Sequence, residues 1–423
     1  PPSSGFCRNH LFTGVELWNT YTGYSDYTYP VSDAEAKGDD VYSVIDDNWE
    51  HADTDPQYKF YDTFTNWDSS TAGDYPLTDN NLASKFTSPG FNFTMMLTHG
   101  HYQLWAMETG SAFDVNDAYQ SNTSKPGIIY TIACLSNGFD LTFPSLSEAF
   151  LWAPDGGSVS YTGCSREGIG YVGASAVKGS SEGFAKDFFT SVFEDGDEYL
   201  GQAHINHKTS NAYRANTHDL THYLMNGINL LGDPGMRMFT DNPSVFSVTH
   251  PERVDTGSVN VTVNTGVEGA TVVISKDGDF YGTATTGADG SATIAANFST
   301  PGKADLSVVM HNYTPYLGTL YVNTIPEVTC SDDDAFMREG ESLTLDITGT
   351  DPDSGQTLTY DVTGLPSFAT WNPGDTTITF EPTFLDDGQY SYTVELTDDF
   401  TSQCPGYEDG TTPETLANSV RDL

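Results

Sequence analysis

Phe91-Asn92-Phe93-Thr94-Met95-Met96-Leu97-Thr98-His99-Gly100 and Gly127-Ile128-Ile129-Tyr130-Thr131-Ile132-Ala133-Cys134 are the stretches on which the reading of this chain turns. Each holds a short run of bulky or β-branched residues. Each is preceded by a Pro-Gly pair, Pro89-Gly90 and Pro126-Gly127. Such runs predict buried strands rather than helices. As parallel neighbours they would deliver His99 and Cys134 together at their carboxyl ends, the edge where open α/β sheets place their sites. A thiolate is a nucleophile, and a nearby histidine can supply its proton partner. The N–H groups of Gly100 and Cys134 could hold an oxyanion, since Gly lets the main chain come close. The set suits acyl transfer; one His and one Cys at this separation equally describe a strand-end histidine and a buried structural cysteine.

Further along, Ser145-Leu146-Ser147-Glu148 is a capping box that opens a helix reaching about Trp152. Ser158-Val159-Ser160-Tyr161-Thr162 predicts a third strand, followed by the loop Gly163 to Gly168. Helices are expected over Glu182 to Phe193 and Thr217 to Leu231, with Gly232-Asp233-Pro234-Gly235 as the breaker. Residues 1–90, rich in Tyr, Asp, Trp and Gly, read as long loops around one or two strands, notably Val41 to Ile45. The alternation of strand and helix predicts an α/β domain over residues 1–242.

Beyond Pro243 the period changes. Val259, Val261 and Val263 alternate with polar residues, and Asp277-Gly278 and Asp289-Gly290 are hairpin signals. Residues 243–324 therefore read as one β-sandwich. Residues 325–404 read as a second, from the alternation of Leu343, Leu345 and Ile347 and of Tyr392, Val394 and Leu396. Cys330 and Cys404 could close a disulfide across the ends of that domain, and residues 405–423 read as a disordered tail.

The chain has 423 residues, too many for one core, and 59 acidic against 16 basic residues leave a net charge of −43. That charge repels nucleic acid and anionic membrane, and suits a solvated surface in salty water. No apolar run approaches the roughly 18 residues of a membrane-spanning helix. Pro1-Pro2-Ser3 carries neither Met nor a signal-peptide pattern, as in a processed form or fragment. Five cysteines leave at least one thiol unpaired within the chain, with Cys134 the expected one.

The motifs around the two strands resemble those of caspase and gingipain cysteine peptidases, the gingipains above all. Trp105-Ala106 follows His99-Gly100 at the spacing of the gingipain histidine motif. Ala133-Cys134 leads into Asn137-Gly138-Phe139, Ser147-Glu148-Ala149-Phe150 is similar to the following helix, and Leu231-Gly232-Asp233-Pro234 to the end of the catalytic domain. Gly257-Ser258-Val259-Asn260-Val261-Thr262-Val263 resembles the immunoglobulin-like domain behind it. Asp351-Pro352-Asp353 with Gly364-Leu365-Pro366 looks like a bacterial cadherin or immunoglobulin-like surface module.

The resemblance implies a caspase-like α/β fold with a mostly parallel sheet, followed by two immunoglobulin-like sandwiches. It implies a secreted or cell-surface endopeptidase acting on proteins or peptides, with Cys134 as nucleophile, His99 as general acid and base, and oxyanion donors at Gly100 and Cys134. His101 is the rival of His99. Trp105, Ser165, Ile169 and Tyr171 are the expected lining of the substrate pocket, and a basic P1 side chain is the expected preference. Gingipain-like domains carry an additional amino-terminal half that this chain is expected to lack for the most part, which leaves the third catalytic residue unplaced. No cofactor is implied for the chemistry, and the sandwich modules would attach the enzyme to a surface or polymer.

Two rival readings remain. His218-Asp219-Leu220-Thr221-His222 sets two histidines at i and i+4, near His204 and His207, in the manner of a zinc protease. Alternatively, Asp351 and Asp353, like Asp332-Asp333-Asp334, could bind structural calcium in an adhesive surface protein whose peptidase-like domain is inactive.

Overall fold

A computed structural model describes residues 6–15, 20–21, 31–32, 40–45, 57–61, 74–107, 110–121, 125–154, 156–170, 181–332, 335–353, 356–398 and 416–422. The chain divides into two compact units, residues 1–244 with 311–313, and residues 245–310 with 314–423.

The strands of the first unit are β1 (His10–Gly14), the short pair β2 (Thr20–Tyr21) and β3 (Val31–Ser32), β4 (Gln57–Tyr61), β5 (Asp74–Pro76) and β6 (Phe93–Met96). They continue as β7 (His99–His101), β8 (Leu104–Ala106), β9 (Ala112–Asp114), β10 (Gly127–Thr131), β11 (Ser158–Cys164) and β12 (Ile228–Gly232). The helices are α1 (40–45), α2 (Asp79–Thr87), α3 (Val115–Gln120), α4 (Leu146–Trp152), α5 (Ser181–Phe193), α6 (Leu200–Ala215) and α7 (Asp219–Gly227).

Seven strands form one sheet in the order β12-β11-β10-β6-β1-β4-β5. Every pairing in it is parallel except that of β11 with β12. Both faces are covered, which explains the unbroken apolar runs. Met95, Ile128, Tyr130 and Ile132 pack on one side with α1 and α5 to α7. Met96, Ile129 and Ala133 pack on the other with Trp105, Leu146 and Phe150. α4 has the expected box: Ser145 Oγ accepts from the Glu148 N–H, and the Glu148 carboxylate accepts from the Ser145 N–H at 2.8 Å.

Several sequence expectations are corrected. Val41 to Ile45 lie in a helix rather than a strand, because the buried positions are Val41, Val44 and Ile45, at i, i+3 and i+4. Residues 1–90 supply three strands of the main sheet, each too short to show a clear period. The helix expected to reach Leu231 ends at Gly227, and residues 228–232 form the antiparallel edge strand, with Asp233-Pro234-Gly235 following that strand. The preceding α6 was not expected. Its buried face, Leu200, Ala203, His207 and Asn211, contains only two apolar residues and gives little hydrophobic signal.

The second unit contains the alternating strands expected of it. Gly257–Asn264 pairs with Ser291–Phe298, and Thr271–Lys276 with Asp279–Thr285 across Asp277-Gly278, both at positive φ (55° and 87°). The later module builds on Leu343–Thr350, Thr359–Thr363 and Ser391–Thr397. The tail is not without order: Leu416–Asp422 pairs antiparallel with Ser391–Thr397, through main-chain hydrogen bonds at a strand edge. Cys330 is a free thiol, and Cys404 lies outside the described residues.

Candidate active site

The register of the two central strands brings the chemistry together. Thr131 pairs with Met96 at the end of the β10–β6 ladder. Cys134 and His99 each lie three residues beyond that pair, so the two chains reach the carboxyl edge at the same level. The extension is held by hydrogen bonds from Ile132 N–H and Thr131 Oγ1 to Met96 O, at 3.2 and 2.9 Å. There β6 turns into the ribbon β7-β8-β9, in which Gly100 pairs with Trp105.

Gly100 lies directly on the cysteine turn. A Cβ built on it would stand 2.7 Å from Ala133 Cβ and 2.8 Å from Cys134 O, so any larger residue would push the His99–His101 ribbon away. The turn itself is tightly tied. Leu135 adopts a left-handed φ of 62°, its N–H donates to Arg166 O at 2.9 Å, and the Asn137 N–H donates to Cys164 O at 3.2 Å. A non-glycine residue in that region costs about 1–3 kcal/mol and persists only where its surroundings impose it. The Ala133 N–H is taken by Thr131 Oγ1 at 3.0 Å. The Cys134 N–H has no hydrogen-bond partner among the described residues.

Cys134 is half-buried, and Gly168 N–H donates to its sulfur at 3.2 Å. Gly168 is required there, because a Cβ would fall 2.2 Å from Ile132 O. Of the other described cysteines, Cys7 and Cys164 are buried and burial pushes both thiols up, which disfavours the thiolate. Cys330 lies in the second unit.

A buried hydrogen-bond relay, unforeseen from sequence, ties the histidine ribbon to the cysteine turn. Trp105 Nε1 donates to Tyr161 Oη at 3.1 Å, Tyr161 donates to Ser136 Oγ at 2.9 Å, and Ser136 donates to Ala133 O at 3.0 Å. Only the order of the strands in the sheet brings these residues together. Trp105 is therefore not a wall of the substrate pocket. It is 0% exposed, stacked on Phe113 in the core beneath the ribbon, where its large ring is removed from water.

Ser165 does line a cavity of about 570 Å³, with Phe139, Asp140, Arg166, Asp219, His222 and Tyr223. Neither Cys134 nor His99 lines this cavity. It joins the cysteine turn through Arg166, whose main chain holds Leu135 and whose guanidinium is bound to Asp140 at 3.1 and 2.8 Å. Asp219 forms no ion pair among the described residues. Ile169 packs against the core, its N–H bound by Ser181 Oγ at 2.9 Å, and Tyr171 lies outside the described residues.

The histidines do not gather into a metal centre. His207 is buried against Tyr130 and Phe184, His218 stands at the N-terminal boundary of α7 without a side-chain capping bond, and His222 lines the cavity. No group of three His, Cys, Asp or Glu among the described residues is placed to hold a metal ion.

Comparison with known proteins gives this arrangement a family. A model of peptidase family C25 matches residues 8–239, that family's C-terminal Ig-like domain matches residues 249–323, and a putative Ig domain matches residues 325–408. Lys-gingipain HG66 of Porphyromonas gingivalis is 25% identical over 244 residues, covering 54% of this chain and 14% of the relative. Lys-gingipain W83 of the same organism is 24% identical over 249 residues, covering 55% and 14%. The chain thus spans a small part of the length of these relatives.

Among solved structures, the Arg-specific cysteine proteinase gingipain R superposes with a TM-score of 0.60 at 17% identity, over 76% of this chain and 68% of that one. The complex of the pro- and mature domains of RgpB from P. gingivalis gives 0.56 at 18% identity, over 74% and 68%. At these identities the structural likeness is one of fold, a caspase-like α/β domain followed by immunoglobulin-like β domains. The C25 match alone takes in more than half of the sequence, and the chain belongs to peptidase family C25.

Proposed function

We propose that this chain is a secreted cysteine endopeptidase that cleaves proteins or peptides with Cys134 as nucleophile and His99 as general acid and base. The observation that carries the reading is the seating of Gly100 on the Ala133–Cys134 turn, which sets the His-Gly and Ala-Cys strand ends side by side. The Cys134 thiolate attacks the peptide carbonyl, the C–N bond breaks as His99 protonates the leaving amine, and water then releases the acyl-enzyme. The unbonded Cys134 N–H, with that of Gly100, would hold the oxyanion. His99 is preferred to His101 because it directly continues β6, three residues past the ladder.

The relatives are named for Lys and one structural neighbour for Arg, and Asp219 lines the cavity beside the cysteine turn together with Phe139 and Tyr223. These features support a basic P1 preference. The immunoglobulin-like modules support attachment to a surface or polymer, and no described helix is long and apolar enough to cross a membrane. A peptide-library cleavage assay with Cys134→Ala, His99→Ala and His101→Ala variants, with and without alkylating agent and chelator, tests the reading. Cleavage should vanish with Cys134→Ala or alkylation, collapse with His99→Ala, and survive chelation. Full activity in Cys134→Ala would refute it.

A further inference from the structure

In the second unit the chain passes from the first sandwich to the next through Asn323-Thr324, and oxygen donors gather around that link. Asp353 is 4% exposed. Its Oδ2 accepts from the Thr324 N–H at 2.9 Å, and its own N–H donates to Asp351 Oδ1 at 2.7 Å. Those bonds use one oxygen of each carboxylate. The other two, Asp353 Oδ1 and Asp351 Oδ2, are buried without a hydrogen-bond partner, and so is Oε1 of Gln356.

The surroundings complete the donor set rather than neutralise it. Gln356 Nε2 donates to Asn323 Oδ1 at 2.8 Å, which holds the amide with its oxygen left over. Asn323 Nδ2 donates to Asp398 Oδ2 at 2.9 Å, placing another carboxylate beside the link. Among the described residues no Lys or Arg forms an ion pair with Asp351, Asp353 or Asp398.

A buried carboxylate oxygen with neither a hydrogen bond nor a counter-charge is among the more expensive groups a fold can carry. Two of them beside an amide oxygen favour a positive partner, and no cation among the described residues is placed to supply it. Every orphaned atom is oxygen, the donor type of a hard cation. Calcium takes six to eight such ligands in an irregular shell, whereas magnesium demands a regular octahedron. Because no three acidic, His or Cys side chains converge there as a cage, the remaining positions would fall to main-chain carbonyls and water.

We propose that Asp351, Asp353 and Gln356 bind a calcium ion that fixes the Asn323–Thr324 link between the two sandwiches. The proposal is independent of the peptidase reading.

The full chain, freed of metal with chelator, is titrated with calcium by calorimetry and followed by amide hydrogen exchange and thermal unfolding. Calcium should slow exchange at the Thr324, Asp353 and Gln356 amides at least about tenfold, and raise the unfolding temperature of the second unit. Asp353→Asn should abolish one equivalent of binding. In chelator this variant should unfold no more readily than the parent, since it sheds an uncompensated charge; in calcium the parent should be the more stable. A purely structural role for Asp353 would instead weaken the variant equally in both conditions.

Asp351→Asn, at a half-buried position, decides the matter if Asp353→Asn does not fold, and should weaken calcium binding at least about tenfold. Failure of calcium to alter exchange or unfolding of the parent would overturn the proposal. Binding of equal stoichiometry and affinity in the folded variants would do the same.

Discussion

Replacing Gly100 with Ala tests whether close approach of the histidine ribbon to the cysteine turn is what makes the site work. The added Cβ would lie 2.7 Å from Ala133 Cβ and 2.8 Å from Cys134 O. Carbon atoms rest at about 3.5–4.0 Å, so the ribbon must retreat by about 1 Å. Neither neighbour can give way. Ala133 has no rotamer to change, and the turn is pinned by the bonds from Ser136 Oγ to Ala133 O and from Leu135 N–H to Arg166 O.

Overpacking of this kind costs about 1–3 kcal/mol of stability, which urea denaturation would report. A displacement of about 1 Å between reacting groups costs about 10²-fold in rate, so kcat/KM on a fluorogenic peptide should fall by about that factor. A variant that keeps both its stability and its peptidase activity would refute the reasoning, because the contact would then be either absent or irrelevant.

Other outcomes follow from the same geometry. Tyr161→Phe removes the middle of the buried relay and leaves the Trp105 N–H without an acceptor. It should cost about 1–3 kcal/mol of stability and lower kcat more than it raises KM, as kinetics with the parent and variant would show. Burial first, and then the charge of Lys208, holds the His204 imidazole down to about 4, and burial keeps neighbouring His207 well below its usual range. The unfolded chain binds more protons than the folded one between about pH 6.5 and 4. Stability of the first unit is therefore full above about pH 6.5 and is lost as pH falls toward 4, by up to about 3 kcal/mol from His204 alone. Urea midpoints across that range should fall in the parent and fall less in His204→Gln; an unchanged slope would exclude His204 as the cause.

Much of the architecture was legible along the chain because the informative features are local. Two apolar runs flanked by Pro-Gly pairs identify the central strands, Ser145 and Glu148 identify the start of α4, and alternating valines mark the sandwiches. His99 and Cys134 were legible as the residues in which those runs end, but the resemblance to gingipains, not the local pattern, singled them out as candidates. α6 was not legible, since its buried face includes His207 and Asn211, whose burial depends on the ring cluster of Tyr130 and Phe184 around His207. Trp105 was placed in the pocket by the resemblance, which does not tell whether its ring faces a substrate or the core, where it is buried.

The sequence by itself determined the two strands, their terminal His-Gly and Ala-Cys, and the change to β-modules after Pro243, because strand formation and turn chemistry depend on neighbours in the chain. The tertiary structure alone decided that the strands pair in the register that levels His99 with Cys134. It also decided that Gly100 rests on the Cys134 carbonyl, that Tyr161 links Trp105 to Ser136, and that Asp351, Asp353 and Gln356 leave three buried oxygens unpaired. Register, close approach and burial are relations between distant segments, and they exist only once the chain has packed.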